Sequence, residues 1–338
     1  MRANRSHLYH YLFMACLGWM MFFRTAVPCH GQVVDSLTVH VRLDSVLTIM
    51  KGTQSLLTYQ FNTVFPPDGQ DSSYKRSGFI HPLNTLSGRS LTRIQPKDHY
   101  HHYGIWNAWT HTLFEQDTID FWNLKKKLGT VRFVKLKHHQ AHSRHASYSV
   151  LHDHVVYQKD GTEKVAIHEL QTVDVYLPSE DSNYYWVDLR IDMRCASDSP
   201  IQLLMYRYGG LGWRATESWD ASNSELLTSE GDARSEADGS RVRWCAIQGV
   251  LSRNTYGGMA IFSNPKNYNH PEPIRTWDAQ ANNGQENVFL NFTPTRNRHW
   301  TLEPGKSYTL RYRFLIFDGK MSSEALHQHW KTYAEAKK

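Results

Sequence analysis

Apolar and polar side chains alternate with a period of two through most of this chain. "SLTVHVRL" (Ser36–Leu43), "TVRFVKLK" (Thr130–Lys137), "KVAIHELQTVDVYL" (Lys164–Leu177), "YYWVDLRIDMRC" (Tyr184–Cys195) and "YTLRYRFLIF" (Tyr308–Phe317) each collect apolar groups on one face of an extended segment. Each predicts a half-buried antiparallel strand. Turn chemistry separates them, as in "KDG" at Lys159–Gly161, "SDSP" at Ser197–Pro200 and "EPGKS" at Glu303–Ser307. A helical period appears only at the end. There "SSEALHQHWKTYAEAKK" opens on a serine cap, carries Glu324 in its first turn and sets Leu326, Trp330 and Tyr333 on one face. This helix is expected to pack across an open end of the sheet. The chain has no βα alternation, no internal repeat and no linker rich in Pro, Gly or Ser. The pattern therefore predicts an all-β protein, one large antiparallel β-sandwich over residues 32–338 with a C-terminal helix.

The amino terminus departs from this pattern. Residues 1–31 run from a basic start through an apolar stretch, Leu12–Phe23, to small residues, the layout of a secretory signal peptide. The apolar stretch is shorter than the roughly 20 residues a membrane-spanning helix needs. The expectation is cleavage after Gly31 and a periplasmic or secreted chain beginning at Gln32, without stable membrane insertion. A lipid anchor on Cys16 or Cys29 fits less well, because the first lies inside the apolar run and the second follows a proline. Cleavage would remove Arg2, Arg5 and Arg24 and no acid, lowering the formal charge of +6 by three. The remaining basic residues are interspersed with acids, and the short run Lys125–Lys127 reads as a solvated strand end, so no nucleic-acid partner is expected. Cys195 and Cys245 would remain, enough for one disulfide in an oxidising compartment. With 40% hydrophobic and 13% aromatic residues, the composition supports a large core.

Histidine is the unusual component: of 20 in the chain, ten fall between His99 and His154. The densest stretch is "PKDHYHHYGIW", Pro96–Trp106, where Gly104, Ile105 and Trp106 suggest a loop turning into a buried strand. Extended backbone would point His99 and His101 to one side, where a third ligand would complete a divalent-metal site. The alternative is proton transfer without a cofactor. In it His101 or His102 moves the proton, Asp98 orients the ring, and Arg214 in "GGLGWRA" pairs with a negative or carbonyl oxygen. His81 and Arg93 precede the cluster, and Trp106, His111, Asp120 and Trp122 follow it. Asn267 and Trp277 are further candidate walls. Tryptophans beside Asn, Asp and Arg suit a sugar, whose C–H face covers the ring while its hydroxyls pair with the polar groups. Gly209, Gly210 and Gly212 would admit backbone close to a ligand, or mark a β-bulge. His138, His139, His142, His145, His152 and His154 lie in a polar, loop-like stretch and read as surface residues.

Four segments, "RSGFIHPLNTLSGRSLTRIQPKDHYHHYGIW", "IDFWN", "YRYGGLGWRA" and "LEPGKSYTLRYRFLIFDG", together resemble a bacterial family labelled "methane oxygenase PmoA" and treated as a domain of unknown function. The resemblance covers nearly the whole chain after residue 31. Its most specific elements are DHxHH-x-G-[IL]-W and DFW. No apolar run of about 18 residues follows Phe23, so the membrane-spanning oxygenase that the label names is excluded. The resemblance implies an exported β-sandwich protein that keeps company with sugar-oxidising and sugar-processing enzymes, similar in shape to the galactose mutarotase-like supersandwich. Histidine–carboxylate pairs move protons on a sugar ring in that fold class. The expected function is general acid/base chemistry on a sugar or oxidised sugar, as a hydrolase, lyase or epimerase. Two alternatives stand beside it, a non-catalytic carbohydrate-binding or accessory protein and a metal-dependent hydrolase using the DHxHH cluster.

Overall fold

The period-two segments pair into two large antiparallel sheets. In the first, nine strands lie in the order Leu37–Arg42 (β1), Val46–Lys51 (β2), Gln54–Gln60 (β3), Phe79–Leu83 (β4), Ile105–Ala108 (β5), Gly210–Arg214 (β13), Phe289–Phe292 (β19), Glu272–Thr276 (β18) and Arg241–Val242 (β15). In the second, eight strands follow the order Ser224–Thr228 (β14), Trp244–Ser252 (β16), Thr255–Ser263 (β17), Tyr308–Asp318 (β21), Tyr184–Cys195 (β11), Glu163–Tyr176 (β10), His145–Tyr157 (β9) and Gly129–His142 (β8). A smaller sheet of four joins Trp300–Leu302 (β20), Ile201–Leu203 (β12), Thr112–Phe114 (β6) and Asp117–Ile119 (β7). The computed structural model describes residues 36–42, 45–179, 181–278 and 288–336; the segment read as an export signal lies outside them.

The two large sheets face each other, as side chains reaching between them show. Tyr185 on β11 donates to the carbonyls of Leu56 on β3 (3.2 Å) and Asn84 (2.6 Å). Asn107 on β5 donates to Glu169 on β10 at 2.6 Å, and Tyr312 on β21 donates to Glu272 on β18 at 2.8 Å. The result is the antiparallel sandwich that the alternation predicts.

The interface is not wholly apolar. Glu169 Oε1 accepts from His152 Nδ1 (3.1 Å) and Gln171 Nε2 (2.7 Å), while Oε2 accepts from His154 Nε2 (2.9 Å) and Asn107 Nδ2 (2.6 Å). Burial pushes this carboxyl up, but hydrogen bonds and charge from His152 and His154 outweigh it and hold the group well below its ordinary range. His152 and His154 are therefore not surface residues, and both are 0% exposed. They continue the inward phase of Ala146, Tyr148 and Val150 along β9. His138, His139 and His142 are exposed, but on the 14-residue strand β8 rather than on a loop.

One helix, Ser323–Glu335 (α1), follows β21, and the Ser322 hydroxyl caps it by accepting from the Ala325 N–H. It does not cross an open end of the sheet. Leu326 and Tyr333 pack with Trp244, Ala246, Ala260, Phe262, Leu315 and Phe317 on the face of β16, β17 and β21 that points away from the first sheet. Those strands carry apolar groups on both faces, as in "FLIF", so the outer face also needs cover. Cys195 and Cys245 are free thiols, which removes the disulfide expectation. Among the described residues no helix is long and apolar enough to cross a membrane.

Candidate functional site

Strand alternation decides which face of the first sheet carries the cluster. On β5 Asn107 points inward to Glu169, so its neighbour Trp106 points to the outer face. Register pairs Trp106 with Gly212 on β13, and Arg214, two residues on, with Phe289 on β19. Gly212 leaves the space that two indoles fill. A Cβ there would lie 2.9 Å from atoms of both Trp106 and Trp122. This tight packing is the role the structure assigns Gly212, rather than admission of a ligand.

The histidine stretch is folded over this face by two consecutive turns. His99 N–H bonds to the Pro96 carbonyl (2.9 Å) and His102 N–H to the His99 carbonyl (2.9 Å). It is not the extended segment expected from sequence, and the pairing changes accordingly. His99 and His102, three apart, stack at 4.7 Å with ring planes 20° apart, while His101 stands edge-on to both, at 5.4 Å from His99 and 4.7 Å from His102. Gly104, at φ +55°, then lets the chain re-enter the sheet, since a Cβ would meet the Ile80 carbonyl oxygen at 2.2 Å.

Hydrogen bonds set the protonation pattern. An ionised carboxylate only accepts, so His99 Nδ1 donates to Asp98 Oδ2 at 2.8 Å, and the neutral ring carries its lone pair on Nε2. Arginine only donates, so Arg214 Nη1 donates a hydrogen bond to His102 Nδ1 at 3.1 Å, and neutral His102 carries its own hydrogen on Nε2. Arg214 Nη2 bonds both oxygens of Asp98, at 3.1 and 2.8 Å, and Arg93 Nη2 stands 3.9 Å from Oδ1. Burial pushes the Asp98 carboxyl up, yet the His99 hydrogen bond and the Arg214 charge together hold it well below its ordinary range. Burial lowers His101 to about 3, helped by the nearby His99 and Arg214. Burial, His101 and Arg214 likewise lower His102 well below its ordinary value, so both rings are neutral at pH 7. His101 makes no hydrogen bond among the described residues.

A cavity of about 210 Å³ opens on this group, lined by His99, His101, His102, Trp122, Asn123, Tyr208 and Trp277. Trp106 lies behind it, 5.1 Å from His102 and 4.9 Å from Trp122, and is 2% exposed, so it backs the cavity and does not line it. Arg214 is likewise buried, with its guanidinium over Trp277 at 4.9 Å; it orients Asp98 and His102 rather than reaching a ligand. Asp98 orients His99, not the His101 or His102 expected from sequence.

Other candidates lie elsewhere. Asp120 is a turn cap that accepts from the Trp122 and Asn123 N–H groups and from Lys126, which sets Asn123 at the cavity. His111 packs tilted against Tyr206, with ring centres 4.0 Å apart, and is not in the lining. Asn267 donates to Glu272 at 2.8 Å in the buried layer between the sheets. His81 bonds Thr92 and lines a separate, larger depression with Arg93. Asn123 and Tyr208 were missed, although they end "DFWN" and precede the Gly209–Gly210 pair within segments already singled out.

Among the described residues no three His, Cys, Asp or Glu groups converge as a metal site. The pair read from sequence, His99 and His101, stands with ring centres 5.4 Å apart, and no third such group joins it among the described residues.

No curated protein matches the chain by sequence. Among solved structures, the heparinase III BT4657 gene product shares 8% identity over 85% of this chain and 37% of its own, with a TM-score of 0.38. The α-galactosidase AgaA of Geobacillus stearothermophilus, in complex with 1-deoxygalactonojirimycin, shares 11% over 83% of this chain and 40% of its own, at 0.36. YeaD of Salmonella typhimurium, provisionally described as a mutarotase, shares 7% over 85% of this chain and 95% of its own, at 0.35. This chain thus spans well under half of the first two, and at such identities and scores no substrate or catalytic role passes to it. A family model described as "Family of unknown function (DUF6807)" matches residues 46–331, and the chain belongs to that family.

Proposed function

We propose that the protein binds a sugar or oxidised sugar in the His99–His101–His102 cavity and moves a proton on it by general acid/base chemistry. The observation that carries this reading is the pairing of opposite tautomers in one small cavity: His99 held by Asp98 with an accepting Nε2, and His102 held by Arg214 with a donating one. His99 is the base in this reading. His102, neutral and stacked against His99, donates to an oxygen on which charge develops, and its neutrality removes the risk of giving its proton away. Neutral His101 is a second acceptor or donor for the same ligand.

The walls support a carbohydrate. Trp122, Trp277 and Tyr208 are aromatic walls of the cavity, and Asn123 adds an amide for hydroxyls. At about 30 Å³ per water molecule, a cavity of about 210 Å³ displaces several waters, which suits one sugar ring rather than a polymer. The reading includes action outside the cytoplasm, on the strength of the signal-like segment before Gln32. No organic cofactor enters it.

The test measures binding and turnover of unmodified and C-oxidised disaccharides by wild type and His99→Ala. The expected outcome is turnover of at least one oxidised sugar that falls by about 10² or more in the variant while binding persists. Binding without turnover in wild type replaces the enzyme with a non-catalytic sugar-binding protein. Absence of both removes the carbohydrate reading.

A further inference from the structure

A second depression, about 520 Å³, is lined in part by Arg93, whose guanidinium stands 3.9 Å from Asp98. Its lining has no aromatic ring other than His81, so it lacks the platforms that sugar rings stack on. It has instead two guanidinium groups, Arg89 and Arg93, with the hydroxyls of Ser90, Thr92 and Ser218. Arg93 ties the two cavities together, because it lines this one and stands 3.9 Å from Asp98, which holds His99 in the other. Arg89 is exposed and has no acid partner among the described residues. Glu217 is the single acidic group in the lining, and burial lowers His81 to about 4 so that it is neutral at pH 7. The formal charge of the lining is then one positive.

We propose that this depression is a subsite for an anionic group, the carboxylate or sulfate of an acidic sugar unit joined to the one in the first cavity. The inference rests on the carbohydrate reading and narrows it: the substrate is an acidic glycoside at least two units long. Guanidinium groups bind carboxylate or sulfate through charge-assisted hydrogen bonds that a neutral hydroxymethyl group cannot equal. Glu217 repels an anion placed close to it and so holds the preference below what the arginines alone would give.

The experiment is titration calorimetry of the whole protein with cellobiose, maltose and lactose, and with the uronic-acid and sulfated form of each. Expected is at least about tenfold tighter binding of an acidic form over its neutral parent, with the ratio shrinking as salt rises. Arg89→Gln should bring that ratio close to one. Glu217→Gln should raise it, a gain that a poorly folded variant cannot imitate. A wild-type ratio near one, or a ratio that neither substitution moves, overturns the anionic subsite and leaves the carbohydrate reading standing. Failure of wild type to bind any of the nine sugars overturns both. If only the sulfated or only the uronic form binds tightly, the subsite holds and the source of the charge is settled.

Discussion

At the scale of single residues, the cavity depends on positions that never touch a ligand. Gly212 is the clearest. Adding one methyl there brings it within 2.9 Å of both Trp106 and Trp122, and neither ring has room to retreat, since each is at most 2% exposed. Gly212→Ala is expected to cost about 1–3 kcal/mol by overpacking, read as a lower urea midpoint, and to weaken sugar binding because Trp122 lines the cavity. An unchanged midpoint would mean that the indoles repack freely. The same scale explains the misassigned histidine. The proton-transfer reading gave Asp98 to His101 or His102, whereas the turn Pro96–His99 swings His99 onto it.

Between elements, Glu169 and Glu272, both buried between the sheets, behave oppositely. Glu169 receives four donors, two of them histidines, and is held ionised. Glu272 receives Ser263, Asn267 and Tyr312, all neutral, and burial pushes it up to about 7 from an ordinary 4.5. The sign follows from proton counting. Between those values the folded chain keeps a proton that the unfolded chain gives up, so this group's contribution is full below 4.5 and is lost as pH rises through about 7. The loss is on the order of 3 kcal/mol. Glu272→Gln is expected to flatten the difference in unfolding free energy between pH 5 and pH 8 by most of that amount. A variant whose pH dependence parallels wild type would show Glu272 to be ionised throughout. Asp98 and Glu169, both depressed, contribute stability that is lost only at lower pH, outside this window.

For the whole molecule, export is the prediction that the fold cannot test. Expressed with its first 31 residues in a bacterium that secretes, the protein should appear outside the cytoplasm with an amino terminus near Gln32, as read by intact mass. Recovery of the full-length chain in the cytoplasm would contradict it. The family that matches residues 46–331 is described as one of unknown function, and the "methane oxygenase PmoA" label of the resemblance is not part of that description. Alternation was enough for five strands, β1, β8, β10, β11 and β21, and for the antiparallel sandwich, and the cap and helical period for the terminal helix, because side-chain period and capping are properties of a few consecutive residues. The inward phase of His152 and His154 was present in the same alternation and was obscured by their polarity. Tertiary structure alone decided which face each histidine joins and which nitrogen carries its proton. Arg214 lies 112 residues beyond His102, and the two meet only when β13 pairs with β5. Hydrogen bonds act over about 3 Å, so no local pattern can announce a partner that the fold delivers from so far along the chain.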